Sequence, residues 1–154
     1  MKKIITFLIF TFFSICAFGQ VKCILDNPDY EMKYKRTTVN NSDVIMDFTI
    51  TYHGRGQGYF YIAEGLGNFY DDEGNIYNAR KNPVGDRINL FVDIGNSGRC
   101  GQYLESGIPI KVRIRLKDVD DFATEFVKIN LECKFGENKP FSSFTITNVP
   151  IPRE

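Results

Sequence analysis

The chain has 154 residues, 43% of them hydrophobic and 14% aromatic, with 19 basic residues balanced by 19 acidic ones. That length suits one domain around a single core, and the absence of excess positive charge argues against a nucleic-acid partner. A single histidine excludes a metal site built on several imidazoles.

The N-terminus reads as an export signal over residues 1–19. Lys2 and Lys3 precede the apolar run Ile4-Ile5-Thr6-Phe7-Leu8-Ile9-Phe10-Thr11-Phe12-Phe13, and Ala17 and Gly19 supply the small-x-small pattern of a cleavage site after Gly19. The run is shorter than the roughly 20 residues of a spanning helix, so cleavage is expected rather than retention as an anchor. Cys16 follows the branched Ile15, which fits poorly with a lipoprotein cut. Export places the mature chain in the periplasm, at the cell surface or outside the cell. Cleavage leaves one domain over residues 20–154 carrying 17 basic and 19 acidic residues, since Lys2 and Lys3 are lost. No second long apolar segment follows, so no membrane span is expected in the mature chain.

Period-2 alternation recurs along this domain, and no window of a dozen residues keeps a helical stripe. In chain order the clearest strands are residues 30–39, 44–53, 87–94, 108–116, 126–134 and 141–148. Alternation is cleanest at 108–116, where Ile110, Val112, Ile114 and Leu116 are expected to face a core and Lys111, Arg113 and Arg115 to face water. Turn chemistry separates the strands at Asn27-Pro28-Asp29, Asn40-Asn41-Ser42-Asp43, Gly54-Arg55-Gly56-Gln57-Gly58, Asp71-Asp72-Glu73-Gly74-Asn75 and Gly136-Glu137-Asn138-Lys139-Pro140. Residues 118–123 read as a single helical turn. The prolines of the tail, Pro150 and Pro152, are expected to stop the last ladder. The fold class is all-β, an immunoglobulin-like antiparallel sandwich of about seven to nine strands.

Three cysteines survive cleavage, Cys23, Cys100 and Cys133, and an oxidising compartment favours one disulfide among them. Cys23 and Cys133 alternate with apolar neighbours and read as inward-facing. Cys100 sits in a glycine-rich stretch within reach of either.

Four groups are chemically suggestive. Asp71, Asp72 and Glu73 beside Gly74 could hold calcium, but without the Asp-x-Asp-x-Asp spacing of an EF-hand they read first as a tight hairpin, with Gly74 or Asn75 at positive φ. Asp118, Asp120, Asp121 and Glu125 could supply paired carboxylates, although Lys117 and Lys128 flank what reads as a solvated connection. His53 ends a strand without a nucleophile or acid at a telling spacing. Tyr59, Tyr61 and Tyr77 are the ligand candidates, because flat aromatic faces with a hydroxyl suit sugar rings. Phe60 points the opposite way from Tyr59 and Tyr61. No catalytic residue and no cofactor is assigned.

Asp47-Phe48-Thr49-Ile50-Thr51, the hairpin from Phe69 to Tyr77, Leu104-Glu105-Ser106-Gly107-Ile108-Pro109 before the basic strand, and Phe144 to Ile151 together resemble small bacterial secreted immunoglobulin-like domains. That family is related in fold to the mycobacterial immunoprotective extracellular antigen. The resemblance implies a sandwich in an envelope or extracellular setting and carries over no active-site residue. The expected function is a non-enzymatic binding or structural module contacting a protein or glycan. The alternative is a small secreted hydrolase or calcium-dependent protein using an acidic loop, and a third reading is an inhibitor presenting residues 95–103.

Overall fold

A computed structural model describes residues 19–79 and 89–153. Apart from Gly19, the expected signal segment lies outside the described residues, as do residues 87 and 88 of the strand expected at 87–94.

Among the described residues ten strands form in chain order: β1 (Lys22–Leu25), β2 (Tyr30–Asn40), β3 (Asp43–Tyr52), β4 (Gln57–Asp71), β5 (Ile76–Asn78), β6 (Leu90–Ile94), β7 (Gly101–Glu105), β8 (Ile110–Leu116), β9 (Glu125–Phe135) and β10 (Ser142–Pro150). They make two antiparallel sheets. The six-stranded sheet has the order β1-β10-β9-β4-β5, with β7 also on β4, and the four-stranded sheet has the order β2-β3-β8-β6. The count exceeds the expected seven to nine. The strands not expected individually are the short edge pieces β1, β5 and β7, which carry too few residues for alternation to register, and β4, whose alternation a bulge resets midway.

The core follows from the alternation. Val44, Met46, Phe48 and Ile50 of β3 lie opposite Leu116, Ile114, Val112 and Ile110 of β8, which form one wall. Phe60, Ile62 and Phe69 of β4, Ile129 and Leu131 of β9, and Phe144 and Ile146 of β10 form the other, all fully or almost fully buried. On the outer side of the four-stranded sheet, buried Asp47 accepts hydrogen bonds from Arg36 at 3.0 Å and Arg113 at 2.8 Å. Those bonds, the Arg113 one foremost, hold its carboxyl below the usual range.

Two local expectations are corrected. Residues 118–123 contain no helical turn. Asp118 adopts a positive φ of 57° and the Ala123 N–H closes a β-turn on the Asp120 carbonyl. Contrary to the expectation that the tail stays out of the ladder, Val149 and Pro150 pair with Phe126 and Glu125 and β10 ends only at Pro150, because at the last rung of a strand a missing N–H costs little.

β4 organises the candidate surfaces. Its first part pairs with β7 and its last part with β5, both on the edge away from β9. Between them the register shifts from Ile62 to Gly67, and Gly65 takes a φ of 87°. The bulge turns Glu64 toward the neighbouring sheet, where its carboxylate accepts the Val92 N–H of edge strand β6 at 2.9 Å.

Candidate functional site

The acidic hairpin at the far end of β4 is a closed hydrogen-bond structure. Asp71 is buried, and its carboxylate accepts the Glu73 N–H at 3.1 Å, the Asn75 N–H at 2.7 Å, the Asn75 side-chain amide at 2.9 Å and the Tyr77 hydroxyl at 2.7 Å. Burial pushes its carboxyl up, but the bonds from Tyr77, Asn75 and Glu73 outweigh that and leave it lowered. Gly74 takes the positive φ, 88°, that the turn requires.

Asp72 points the other way, into the turn before β9. It accepts the Thr124 N–H, the Thr124 hydroxyl and the Glu125 N–H. Asp120 accepts the Phe122 N–H at 2.8 Å and the Asn75 amide at 3.2 Å, while its own N–H donates to the Tyr77 hydroxyl at 3.0 Å. The two acidic groups, separate in sequence, therefore meet at one end of the sandwich. Tyr77 lies between them. Burial and its bond to Asp71 push its phenol up to about 12. Among the described residues no group of three or more His, Cys, Asp or Glu side chains has metal-binding geometry.

His53 is exposed and lies 3.3 Å from Glu31, with no nucleophile among its hydrogen-bond partners.

The other candidates lie at the opposite end of β4. Phe60 is fully buried while Tyr59 and Tyr61 face outward, as alternation requires. Tyr59 lies directly opposite Tyr103 of β7, with ring centroids 5.0 Å apart in an edge arrangement, and Tyr61 lies opposite Gly101. Gly101 is what lets the rings settle against β7. A Cβ there would come within 2.5 Å of the Tyr59 hydroxyl and 3.0 Å of the Tyr61 ring. Phe141 adds a further ring 6.3 Å from Tyr61, with the Lys134 ammonium 4.4 Å above it. Two depressions of about 450 and 500 Å³ open here and share Tyr59, Tyr103 and Glu137. The structure thus brings Tyr59 and Tyr61 together and sets Tyr77 apart.

The fold is immunoglobulin-like. A solved PapD-like (ASH) domain of human CEP192 is similar to it at a TM-score of 0.44 and 15% identity, over 85% of this chain and 94% of that one. No family model matches the chain, and no curated protein sequence does. The two antiparallel sheets agree with the immunoglobulin-like sandwich expected from sequence, whereas nothing in the comparisons bears on the bacterial secreted family or the mycobacterial antigen.

The disulfide expected among Cys23, Cys100 and Cys133 is not formed, and all three are free thiols. The strand register explains why. Cys133 lies across from Ile62 of β4, and the Ile62 N–H bonds to the Cys100 carbonyl on the other side, so two strand spacings, about 10 Å, separate the two cysteines. Cys23 is across from Ile146, which lies across from Ile129, four residues along β9 from Cys133. Both separations exceed the roughly 7 Å between Cα atoms that a disulfide spans.

Three positions that shape these surfaces are not legible from sequence. Tyr103 lies in a five-residue edge strand, and its role depends on pairing with β4. Glu64 reads as an ordinary polar residue, and only the bulge directs it. Phe122 sits among Asp118, Asp120, Asp121 and Glu125, whose carboxylates dominate the reading of that stretch, although an apolar ring among four acidic residues is itself a signal.

Proposed function

We propose that this chain is an exported, non-enzymatic binding module of the bacterial cell envelope whose ligand is a glycan, held on the outward tyrosine face of β4 and β7. The observation that carries the reading is the joining of Tyr59, Tyr61 and Tyr103 into one surface beside two ligand-sized depressions. Of the two partner classes open from sequence, a glycan suits this face. Aromatic faces with hydroxyl tips stack on sugar rings, and Gln102, Arg99 and Glu137 in the adjacent depression offer donors and acceptors to ring hydroxyls. The expected signal peptide supports the setting.

The alternative of a small secreted hydrolase or calcium-dependent protein draws no support from the acidic loop. Asp71 and Asp72 already accept seven hydrogen bonds between them, all from the loop and turn they join. A cation would have to displace those donors.

A glycan array probed with the mature protein and with Tyr59→Ala and Tyr103→Ala tests the proposal. Binding to a defined class of sugars, lost in both variants, is the expected result. Silence across the array, or binding indifferent to both substitutions, would overturn it. Adding calcium or chelator during thermal unfolding tests the alternative, which requires a shifted midpoint.

A further inference from the structure

We propose that the acidic end of the sandwich is a second, separate docking surface, with Phe122 as its anchor and a protein partner that presents an apolar cleft rimmed by lysine and arginine. Phe122 is 80% exposed, more than any other large apolar side chain among the described residues. A ring so exposed adds little to the stability of this domain, and the β-turn that carries it needs no aromatic side chain at that position.

A lone exposed aromatic would mean little. This one is held rigidly. Its N–H donates to the Asp120 carboxylate, the Ala123 N–H donates to the Asp120 carbonyl, and Arg153 from the C-terminal tail donates to the carbonyls of both Asp120 and Ala123. Asp72 fixes the next two residues through the N–H groups of Thr124 and Glu125. A side chain on a backbone already ordered gives up less freedom when it binds, which is how anchor residues contribute affinity.

The surface extends beyond one residue. The Asn75 amide ties the acidic hairpin to Asp120, so the strand carrying Ile76, 58% exposed, is fastened to the turn carrying Phe122. Val127 is exposed too. It is the extra residue at the bulge where Tyr70 pairs with Lys128 and Asp71 with Phe126.

Charge selects the partner. Asp72, Glu73, Asp118 and Asp121 are exposed around this end, and Glu125 is half-buried among them. Of the nearby cations, Arg153 is committed to the turn with its guanidinium 3.9 Å from the Asp121 carboxylate, and exposed Lys128 stands beside the Ile76 pair, which leaves the carboxylates in excess. The resulting negative rim favours a cationic surface and repels both anionic lipid headgroups and a second copy of the same end.

The test places the photo-crosslinking residue p-benzoylphenylalanine at position 122 of the full chain in its source cells, with the same residue at exposed Lys35, away from the acidic end, as control. Expected is a crosslink specific to position 122 that maps to an apolar surface flanked by lysine or arginine on another protein. It should fall about tenfold when Asp121→Lys and Glu73→Lys are introduced together and be unaffected by Tyr59→Ala. That last arm separates this proposal from the glycan reading. No crosslink above the control would overturn the proposal, as would crosslinks to lipid, to a second copy or to an acidic surface.

Discussion

The two ends of β4 use the same kinds of side chain in opposite ways. At the Asp71 end a tyrosine is structural, because the Tyr77 hydroxyl bridges a buried carboxylate and the Asp120 N–H. At the Tyr59 end the rings rest on a glycine and face outward beside open depressions. Tyr59, Tyr61 and Tyr77 are alike in sequence, yet what surrounds each decides whether it holds the fold or is available to a ligand. A carboxylate with four donors holds the structure, whereas a ring laid over a strand stays accessible.

The largest expected effect follows from breaking the closed end. Asp71→Ala leaves two backbone N–H groups, the Asn75 amide and the Tyr77 hydroxyl without their shared acceptor, and it should cost about 3 kcal/mol in urea unfolding. Glu73→Ala, two residues along the same turn, should change stability by less than about 0.5 kcal/mol. A loss below about 1 kcal/mol for Asp71→Ala would show that the network does not hold this end. The same network sets the response to acid. The Asp47, Asp71 and Asp72 carboxyls all sit below their ordinary range in the folded protein. Their stabilisation is therefore present above the unfolded carboxylate range and is lost as pH falls through the folded values. Melting temperature should drop on acidification below about pH 4, less steeply in Asp71→Ala than in the parent.

Next in size is a pair of glycine substitutions, one in each region. At Gly67 an added Cβ would meet the Asn130 carbonyl at 2.8 Å and a Leu131 methyl at 2.5 Å, both in the packed ladder. Gly67→Ala should cost about 2 kcal/mol. At Gly101 the first atom met is the far end of the Tyr59 side chain, which can swing away. Gly101→Ala should leave unfolding nearly unchanged and weaken glycan binding, because the ring no longer settles on β7. Equal destabilisation by both would mean that the tyrosine end is as tightly packed as the ladder.

Legibility in the sequence follows the same divide. Strands that bury one face along their whole length were readable, since Ile110 to Leu116 alternates without interruption and Val44 to Ile50 departs from alternation only at apolar Ile45. β4 was the hardest, although it is the longest, because the bulge from Ile62 to Gly67 resets its period midway. The outward direction of Tyr59 and Tyr61 was legible from Phe60 between them. Their partnership with Tyr103 was not, because it depends on which strand lies beside β4. The convergence of Asp71 with Asp120 likewise depends on topology, since 49 positions separate them.

A smaller effect is expected at the bulge. Glu64→Ala removes the acceptor of the Val92 N–H and should cost about 1 kcal/mol. Hydrogen exchange is the sharper readout: the Val92 amide should exchange faster while the Phe48 amide in central strand β3 keeps its protection. Unchanged exchange at Val92 would mean that the β6 edge is covered by something other than Glu64.

The smallest change in stability is expected from Cys100→Ser, yet the thiols give the most direct check on the register between the two ends. Burial pushes the Cys133 and Cys23 thiols up to about 12, so at pH 8 neither supplies appreciable thiolate in the native state. Cys100 is half-exposed beside the tyrosine depressions. An aromatic disulfide reagent should therefore label one thiol quickly in the native mature protein, and Cys100→Ser should abolish that phase without moving the unfolding midpoint by more than about 1 °C. The two remaining thiols should appear only on unfolding. A protein with a single reactive thiol even when unfolded would contain a disulfide. That would require two cysteines to approach across a gap of about 10 Å, two strand spacings in this fold, and the pairing of β4 with its neighbours would have to differ from the one described.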